Sequence, residues 1–82
     1  MTPKEIIDNI PGLTRDQLSY FAKMGYIVPV KSKRGKNEYS EFSNKDFLVI
    51  KKAYYYIKSF GTKPQTAFEK AEIEYLQTEL NI

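Results

Sequence analysis

Apolar positions in this chain form short stripes separated by residues that begin or end helices, and these stripes predict an order of elements. A first helix begins at residues 2–5, whose sequence TPKE combines an N-cap, a proline in the first turn and a capping-box acid. It ends at residues 11–12, because proline and glycine both interrupt helices. A second helix begins at Thr14, where Gln17 completes another capping box. Its apolar face comprises Leu18, Phe21 and Ala22.

After Gly25 an apolar run follows, and residues 38–42 return with the alternation that is typical of strands. Residues 26–30 and 38–42 are predicted as two strands, and residues 31–37 between them as a charged tip. The tip contains a glycine, which allows a tight turn. The segment therefore predicts a β-hairpin directly after the second helix.

Two more helices are predicted after the hairpin. Residues 43–46 cap the third, which runs towards Gly61 with apolar residues three or four apart: Phe47, Ile50, Tyr54 and Ile57. The fourth begins at residues 63–64, and its predicted buried stripe comprises Phe68, Ala71, Tyr75 and Leu76. From the run of three tyrosines we expect Tyr54 in the core and Tyr55 or Tyr56 against the last helix or a second subunit. Three acids are predicted to form the solvated face of the last helix: Glu69, Glu72 and Glu74.

This order predicts a mainly α domain with a winged helix-turn-helix fold: four helices and a two-stranded antiparallel β-wing between helices 2 and 3. The length of 82 residues suits one domain, 1–82. Residues 1–63 hold the helix-turn-helix, the wing and the third helix, and residues 64–82 hold the C-terminal helix.

Composition argues against several classes of function. The chain has no cysteine and no histidine, so it lacks thiolate metal ligands, disulfides and the commonest general base. No Gly-rich phosphate loop or paired acids at metal-site spacing occur either. We therefore expect no enzyme activity, no metal and no cofactor. No apolar run is long enough for a membrane span or a signal peptide, which makes a cytoplasmic, nucleoid-associated protein the expectation.

The positive charge is concentrated in the middle of the chain. Residues 14–63 contain 11 lysines and arginines against 4 acidic residues, whereas residues 64–82 have a net charge of −3. Clustered cations favour a nucleic-acid partner, because each neutralised phosphate releases condensed counterions. A solvated lysine surface is the alternative interpretation. The acidic tail also leaves open a protein-interaction adaptor that docks a basic partner.

The second helix, residues 14–24, is the predicted recognition helix for the major groove of double-stranded DNA. In helix-turn-helix proteins, residues near the start of this helix reach base edges. Arginine can bridge a guanine edge, which makes Arg15 a candidate base contact, with a solvated residue as the alternative. The predicted DNA-contacting residues of the helix are Thr14, Arg15, Asp16, Ser19, Tyr20 and Lys23.

The wing, residues 31–37, carries four cations around one glycine. Lys33, Arg34 and Lys36 are predicted to neutralise DNA phosphates beside the groove that the helix occupies. The alternative is a charged tip that keeps the edges of the hairpin from pairing with other strands. Its position directly after a helix-turn-helix favours nucleic-acid binding.

Spaced motifs in the chain match one family. The helical pattern comprises Thr14, Leu18, Ser19, Tyr20 and Phe21, and its exit comprises Gly25, Tyr26, Ile27 and Pro29. The returning strand contributes Tyr39, Ser40, Glu41, Phe42, Ser43 and Asp46, and Gly61 precedes the last helix. From residue 3 to about 70 the chain resembles the DNA-binding domain of MerR-family transcription regulators. The resemblance implies a transcriptional regulator and adds Tyr39 to the expected DNA contacts.

The chain also departs from that family's pattern. Ser19 and Ser40 stand where the family usually has arginine, and Asp16 stands where it often has a basic residue. The family generally dimerises through a long coiled coil after the winged domain, which leaves open a homodimer through the C-terminal helix, with Ile73, Leu76 and Leu80 as contacts. A small architectural protein of the excisionase type is a further alternative.

Overall fold

The computed structural model describes residues 1–80, apart from the side chains of Arg34, Glu79 and Leu80. The described chain folds into helices α1 (Pro3–Asn9), α2 (Arg15–Lys23), α3 (Asn44–Phe60) and α4 (Pro64–Leu80). Strands β1 (Val30–Arg34) and β2 (Asn37–Glu41) pair antiparallel between α2 and α3. The predicted order of elements and the mainly helical class are confirmed.

The first three helices begin at the capping boxes that the sequence predicts. In each, the N-cap hydroxyl accepts a hydrogen bond from the third backbone N–H of the helix, and the side chain at that position accepts one from the N-cap N–H. The six bonds measure 2.9–3.2 Å, in the pairs Thr2 with Glu5, Thr14 with Gln17, and Ser43 with Asp46. They satisfy donors that a helix start otherwise leaves unpaired, so these boundaries are fixed locally.

The predicted bounds of the two strands are wrong. β1 begins only at Val30, because the Tyr26 N–H bonds to the carbonyl of Phe21 (3.0 Å) and still belongs to the exit from α2. Pro29 has no N–H to donate to a strand partner. Most of the predicted tip is strand: Arg34 pairs with Asn37, which leaves a loop of two residues. Its first residue, Gly35, has a φ of +66°, and a type II′ hairpin turn has glycine at that position.

The core lies where α3 and α4 pack on the first two helices. Its buried residues are Ile6, Ile10, Leu13, Leu18, Phe21, Ile27, Phe42, Val49, Ile50, Ala53, Tyr54, Ala67, Phe68 and Ala71. Phe68 of α4 lies against Phe21 of α2, with ring centroids 4.9 Å apart. In the predicted buried stripe of α4, Phe68 and Ala71 are buried as predicted. The prediction is wrong for Leu76, which is 48% exposed.

The hairpin is held at its base and is otherwise surrounded by solvent. Phe42, directly after β2, is buried, and its N–H bonds to the carbonyl of Met1 at 2.7 Å. The amino group of Met1 donates back to the Phe42 carbonyl, so the two residues pair as neighbouring strands do. The hairpin is therefore anchored beside the start of α1 and projects from that anchor.

Candidate nucleic-acid interface

Helix α2 presents one polar face to solvent and one apolar face to the core. Successive residues of a helix are ~100° apart, so Arg15, Ser19 and Lys23 fall on one side and Leu18 and Phe21 on the other. The first three are exposed, and the last two are buried. The exposed side of α2 thus carries two cations and a hydroxyl within about two turns.

The two faces of the hairpin carry different side chains. Residues that pair across antiparallel strands point to the same face, and successive residues point to opposite faces. Lys31 pairs with Ser40 and Lys33 with Glu38, which places these four on one face. Tyr39, paired with Ser32, lies on the other.

A surface groove runs between the polar side of α2 and the first of those hairpin faces. Two adjoining cavities share Ser19 and Ser40, and together they extend along both elements. The groove, called the α2–hairpin groove below, contains the polar residues Arg15, Ser19, Lys23, Lys31 and Ser40. Helix and hairpin therefore form a single surface.

Most cations of this surface lack an ionic partner within the described chain. Lys31 forms an ion pair with Glu38 at 3.3 Å, and both side chains are about half exposed or more. No described acid pairs with Arg15, Lys23, Lys33 or Lys36. Exposed ion pairs contribute little stability, so even Lys31 can exchange its partner for a phosphate at small cost. The Arg34 side chain lies outside the described residues.

The other predicted contacts are placed differently. The Thr14 hydroxyl is engaged in the cap of α2 through Gln17 (3.2 Å). Asp16 is exposed in the first turn of α2. The ring of Tyr20 packs on Tyr26 with centroids 6.3 Å apart, on the side of α2 away from the groove, and Tyr39 lies on the opposite hairpin face. Of the predicted DNA-contacting residues, the structure thus brings only Arg15, Ser19 and Lys23 together in the groove, among the side chains it describes.

Two residues of the groove are missing from the predicted contact set. Lys31 is two residues before Lys33 in the same strand, so the strand period already placed both on one face. Ser40 stands where the resembled family has arginine, and its position in the groove makes it the hairpin's counterpart of Ser19. A strand over residues 31–34 in place of the tip was the sequence signal for Lys31. Ser40 lay in the predicted strand 38–42, and its pairing with Lys31 places it on the same face.

Lysines of α3 have different surroundings from those of the hairpin. Lys45 forms an ion pair with Glu72 of α4 at 2.7 Å, and this hydrogen bond raises the pKa of Lys45. Lys52 forms one with Glu74 at 3.6 Å, and the Tyr56 hydroxyl also donates to Glu74. The expectation that Tyr56 meets the last helix is confirmed. Glu72 and Glu74 of the predicted solvated face are partly exposed and also connect α4 to α3.

Within residues 1–80 no helix is long and apolar enough to cross a membrane, and no described group of three or more acidic side chains is placed to hold a metal ion. No protein-family model, curated protein or solved structure matches the chain.

Proposed function

We propose that this domain binds double-stranded DNA as a winged helix-turn-helix, with α2 in the major groove and the β1–β2 hairpin, as the wing, on the phosphate backbone. One observation carries the proposal: exposed polar and cationic side chains of α2 and of the hairpin line one groove. A transcriptional regulator related to the MerR type fits both this surface and the motif resemblance.

Each side chain of α2 would have a definite role in that complex. Arg15, in the first turn, has the reach and the planar donors to pair with a guanine edge. Ser19, one turn later, can donate or accept at either base type. Lys23 lies at the end of the helix, where a phosphate contact is expected. Asp16 beside them repels phosphate and limits how deeply the helix start enters the groove.

The hairpin would contribute affinity that does not depend on sequence. Five residues per strand extend roughly 16 Å at about 3.3 Å per residue, enough to carry Lys33 and Lys36 to the backbone beside the groove that α2 enters. Neither lysine has an ionic partner in the described chain, so neither loses one on binding. The two-residue turn at Gly35 keeps the tip narrow.

Arg15→Ala tests the role of α2. DNA sequences are first selected from a random pool by the wild-type chain, and affinity is then measured on the selected sites and on random duplex. We expect the variant to lose about 1–3 kcal/mol more on selected sites than on random DNA. Lys58→Ala, which removes an exposed cation from α3, is the matched control and should change both affinities equally. An equal loss on all sequences for Arg15→Ala would remove it from base recognition.

A further inference from the structure

A second groove lies between the C-terminal end of α2 and α4. Its floor is apolar and aromatic, with Tyr26 stacked on Phe68 at a centroid distance of 5.5 Å and an interplanar angle of 19°. Met24 and Ile73 form its sides and are 50% and 55% exposed. This groove, called the α2–α4 groove, contains Met24, Tyr26, Phe68, Glu69, Glu72 and Ile73.

The electrostatics of the groove favour a cationic occupant. Glu69 is exposed, and its recorded polar contact is with the Gln65 amide, which donates to it at 3.4 Å; no described cation pairs with it. Glu72 adds a second carboxylate, which Lys45 partly neutralises. The C-terminal end of α2 also meets the groove at Met24, and helix C-termini carry the negative end of the helix dipole. All three features favour a positive charge.

The shape of the groove favours a helix over a compact ligand. Gln65, Glu69, Ile73 and Leu76 follow one another along a single side of α4 at helical spacing. From residue 65 to residue 73, the part of this side that lines the groove, α4 extends roughly 12 Å, a little over two turns of a helix laid beside it. Ile73 and, three residues beyond the groove lining, Leu76 leave apolar surface exposed, which matches the side chains an amphipathic helix presents three and four residues apart.

We infer that the α2–α4 groove is a docking site for a cationic amphipathic helix of a partner protein. A second copy of this chain fits less well, because a two-fold pairing would bring the same negative surface to both sides of the interface. The inference does not depend on DNA binding. Met24 lies ~140° around α2 from Ser19, so the groove and the proposed DNA surface can be occupied together.

Two synthetic 14-residue helices that differ only in charge test the inference. Both have leucines three and four residues apart, and the remaining positions are lysine in one and glutamate in the other. Each is titrated into the isotope-labelled full chain while backbone amide shifts are followed by NMR. We expect the lysine helix to shift saturably the amides of Met24, Tyr26, Phe68 and Ile73, and the glutamate helix to bind there at least roughly 10-fold more weakly.

Charge reversal at the groove provides the matched comparison. Glu69→Lys should weaken the lysine helix roughly 3- to 10-fold and strengthen the glutamate helix. Asp8→Lys changes the net charge equally at an exposed position on α1 and should leave both unchanged. Ile73→Ser should weaken binding, whereas Leu48→Ser, at an exposed apolar position of α3, should not.

Several outcomes would overturn the inference. One is a lysine helix that shifts no amides of the groove, and another is equal binding of the two helices. Equal binding of the lysine peptide with two of its residues replaced by proline would show that the groove does not select a helix. Shifts at the groove that grow with protein concentration in the absence of peptide would identify a second copy as the occupant.

Discussion

The hairpin and helix α3 are both rich in lysine, yet their lysines have different environments. On α3, Lys45 and Lys52 form ion pairs with glutamates of α4, and Lys52 also lies 5.6 Å from the ring centres of both Tyr55 and Tyr56. On the hairpin, only Lys31 has an acid partner among the described residues. Lys45 and Lys52 thus connect α3 to α4, whereas Lys33 and Lys36 of the hairpin have no acid partner in the described chain.

The difference shows that charge counted along a sequence is not charge available on a surface. Residues 14–63 carry a large positive excess, and the acidic segment that follows restores a net charge of +3 for the chain. Part of that excess is neutralised by the acidic segment itself, because α4 packs along α3. The cations proposed for DNA are therefore fewer than the segment count suggests, and they lie on α2 and on the hairpin.

The largest expected effect is the loss of stability when the aromatic contacts between α4 and the α2 region are removed. Phe68 of α4 is 5% exposed and contacts aromatic rings of the α2 region. Phe68→Ala should cost about 3–5 kcal/mol of unfolding free energy, measured by urea denaturation. Phe60→Ala is the control with the same chemistry at a position 67% exposed, and should cost at most about 1 kcal/mol. Similar losses in the two variants would contradict the assigned core.

Acid titration should test the contacts through which Glu74 of α4 binds Tyr56 and Lys52 of α3. The hydrogen bond from Tyr56 and then the nearby Lys52 hold the pKa of Glu74 below its usual 4.5. A carboxyl with a lowered folded pKa contributes stability above its unfolded value and loses it as pH falls through the folded value. The stability difference between wild type and Glu74→Gln should be constant above pH ~5 and shrink below about 4.5.

Glu69→Gln is the control for that titration, because Glu69 lies on the same helix without a described cationic partner. Its urea midpoint should stay close to that of wild type across the same pH range. The same hydrogen bond raises the pKa of Tyr56 above its usual 10. The stability that it contributes is therefore present below pH 10 and is lost as the pH rises through the pKa of Tyr56 in the folded chain. A Glu74→Gln difference that persists at low pH would show that its ionisation plays no part.

The smallest effect should come from Tyr54, where the α1–α2 loop meets α3. Its hydroxyl is buried without a hydrogen-bond partner in the described chain, and it lies 3.1 Å from where a Cβ on Gly12 would stand. Tyr54→Phe removes a desolvated polar atom and breaks no recorded hydrogen bond, so stability should stay the same or rise by up to about 1 kcal/mol. Tyr56→Phe, which loses the bond to Glu74, should be destabilising. A clear loss for Tyr54→Phe would show that its hydroxyl is bound to water.

Features fixed by neighbouring residues could be predicted from the sequence. The capping boxes at Thr2, Thr14 and Ser43 involve groups three residues apart, so they need no tertiary contact. The end of α3 at Gly61 was predictable for the same reason, since its φ of +65° suits glycine. Confirmed boundaries and element order both come from such local rules.

Features fixed by distant parts of the chain could not be predicted. Residues 26–29 are of types that favour a strand, but Ile27 is buried in the core that the helices build, and this packing keeps the segment out of the hairpin. Glu72 has the spacing of a solvated face, and only the packing of α4 on α3 brings Lys45 to it. The α2–hairpin groove also depends on distant contacts. The sequence shows which polar residues the hairpin carries, but only the strand register shows which of them share a face.

The central claim is that the hairpin cations contact DNA phosphates and the α3 cations do not. Its most direct test compares two triple variants that remove equal charge. The hairpin variant changes Lys33, Arg34 and Lys36 to alanine, and the α3 variant changes Lys51 and Lys58 of α3 together with Lys63, directly before α4, to alanine. Lys33 and Lys36 are exposed, as are Lys51, Lys58 and Lys63, so both variants should remain folded, which circular dichroism checks. Affinity for random B-form duplex is then measured over a series of salt concentrations.

Each phosphate contact contributes about 0.9 to the slope of log affinity against log salt. The hairpin variant should therefore lower the magnitude of the slope by roughly two to three units, and the α3 variant should change it by less than about one. A folded hairpin variant with the wild-type slope and affinity would contradict the claim. An equal flattening by both variants would contradict it as well, because attraction would then depend on total charge and not on the position of the cations on the hairpin.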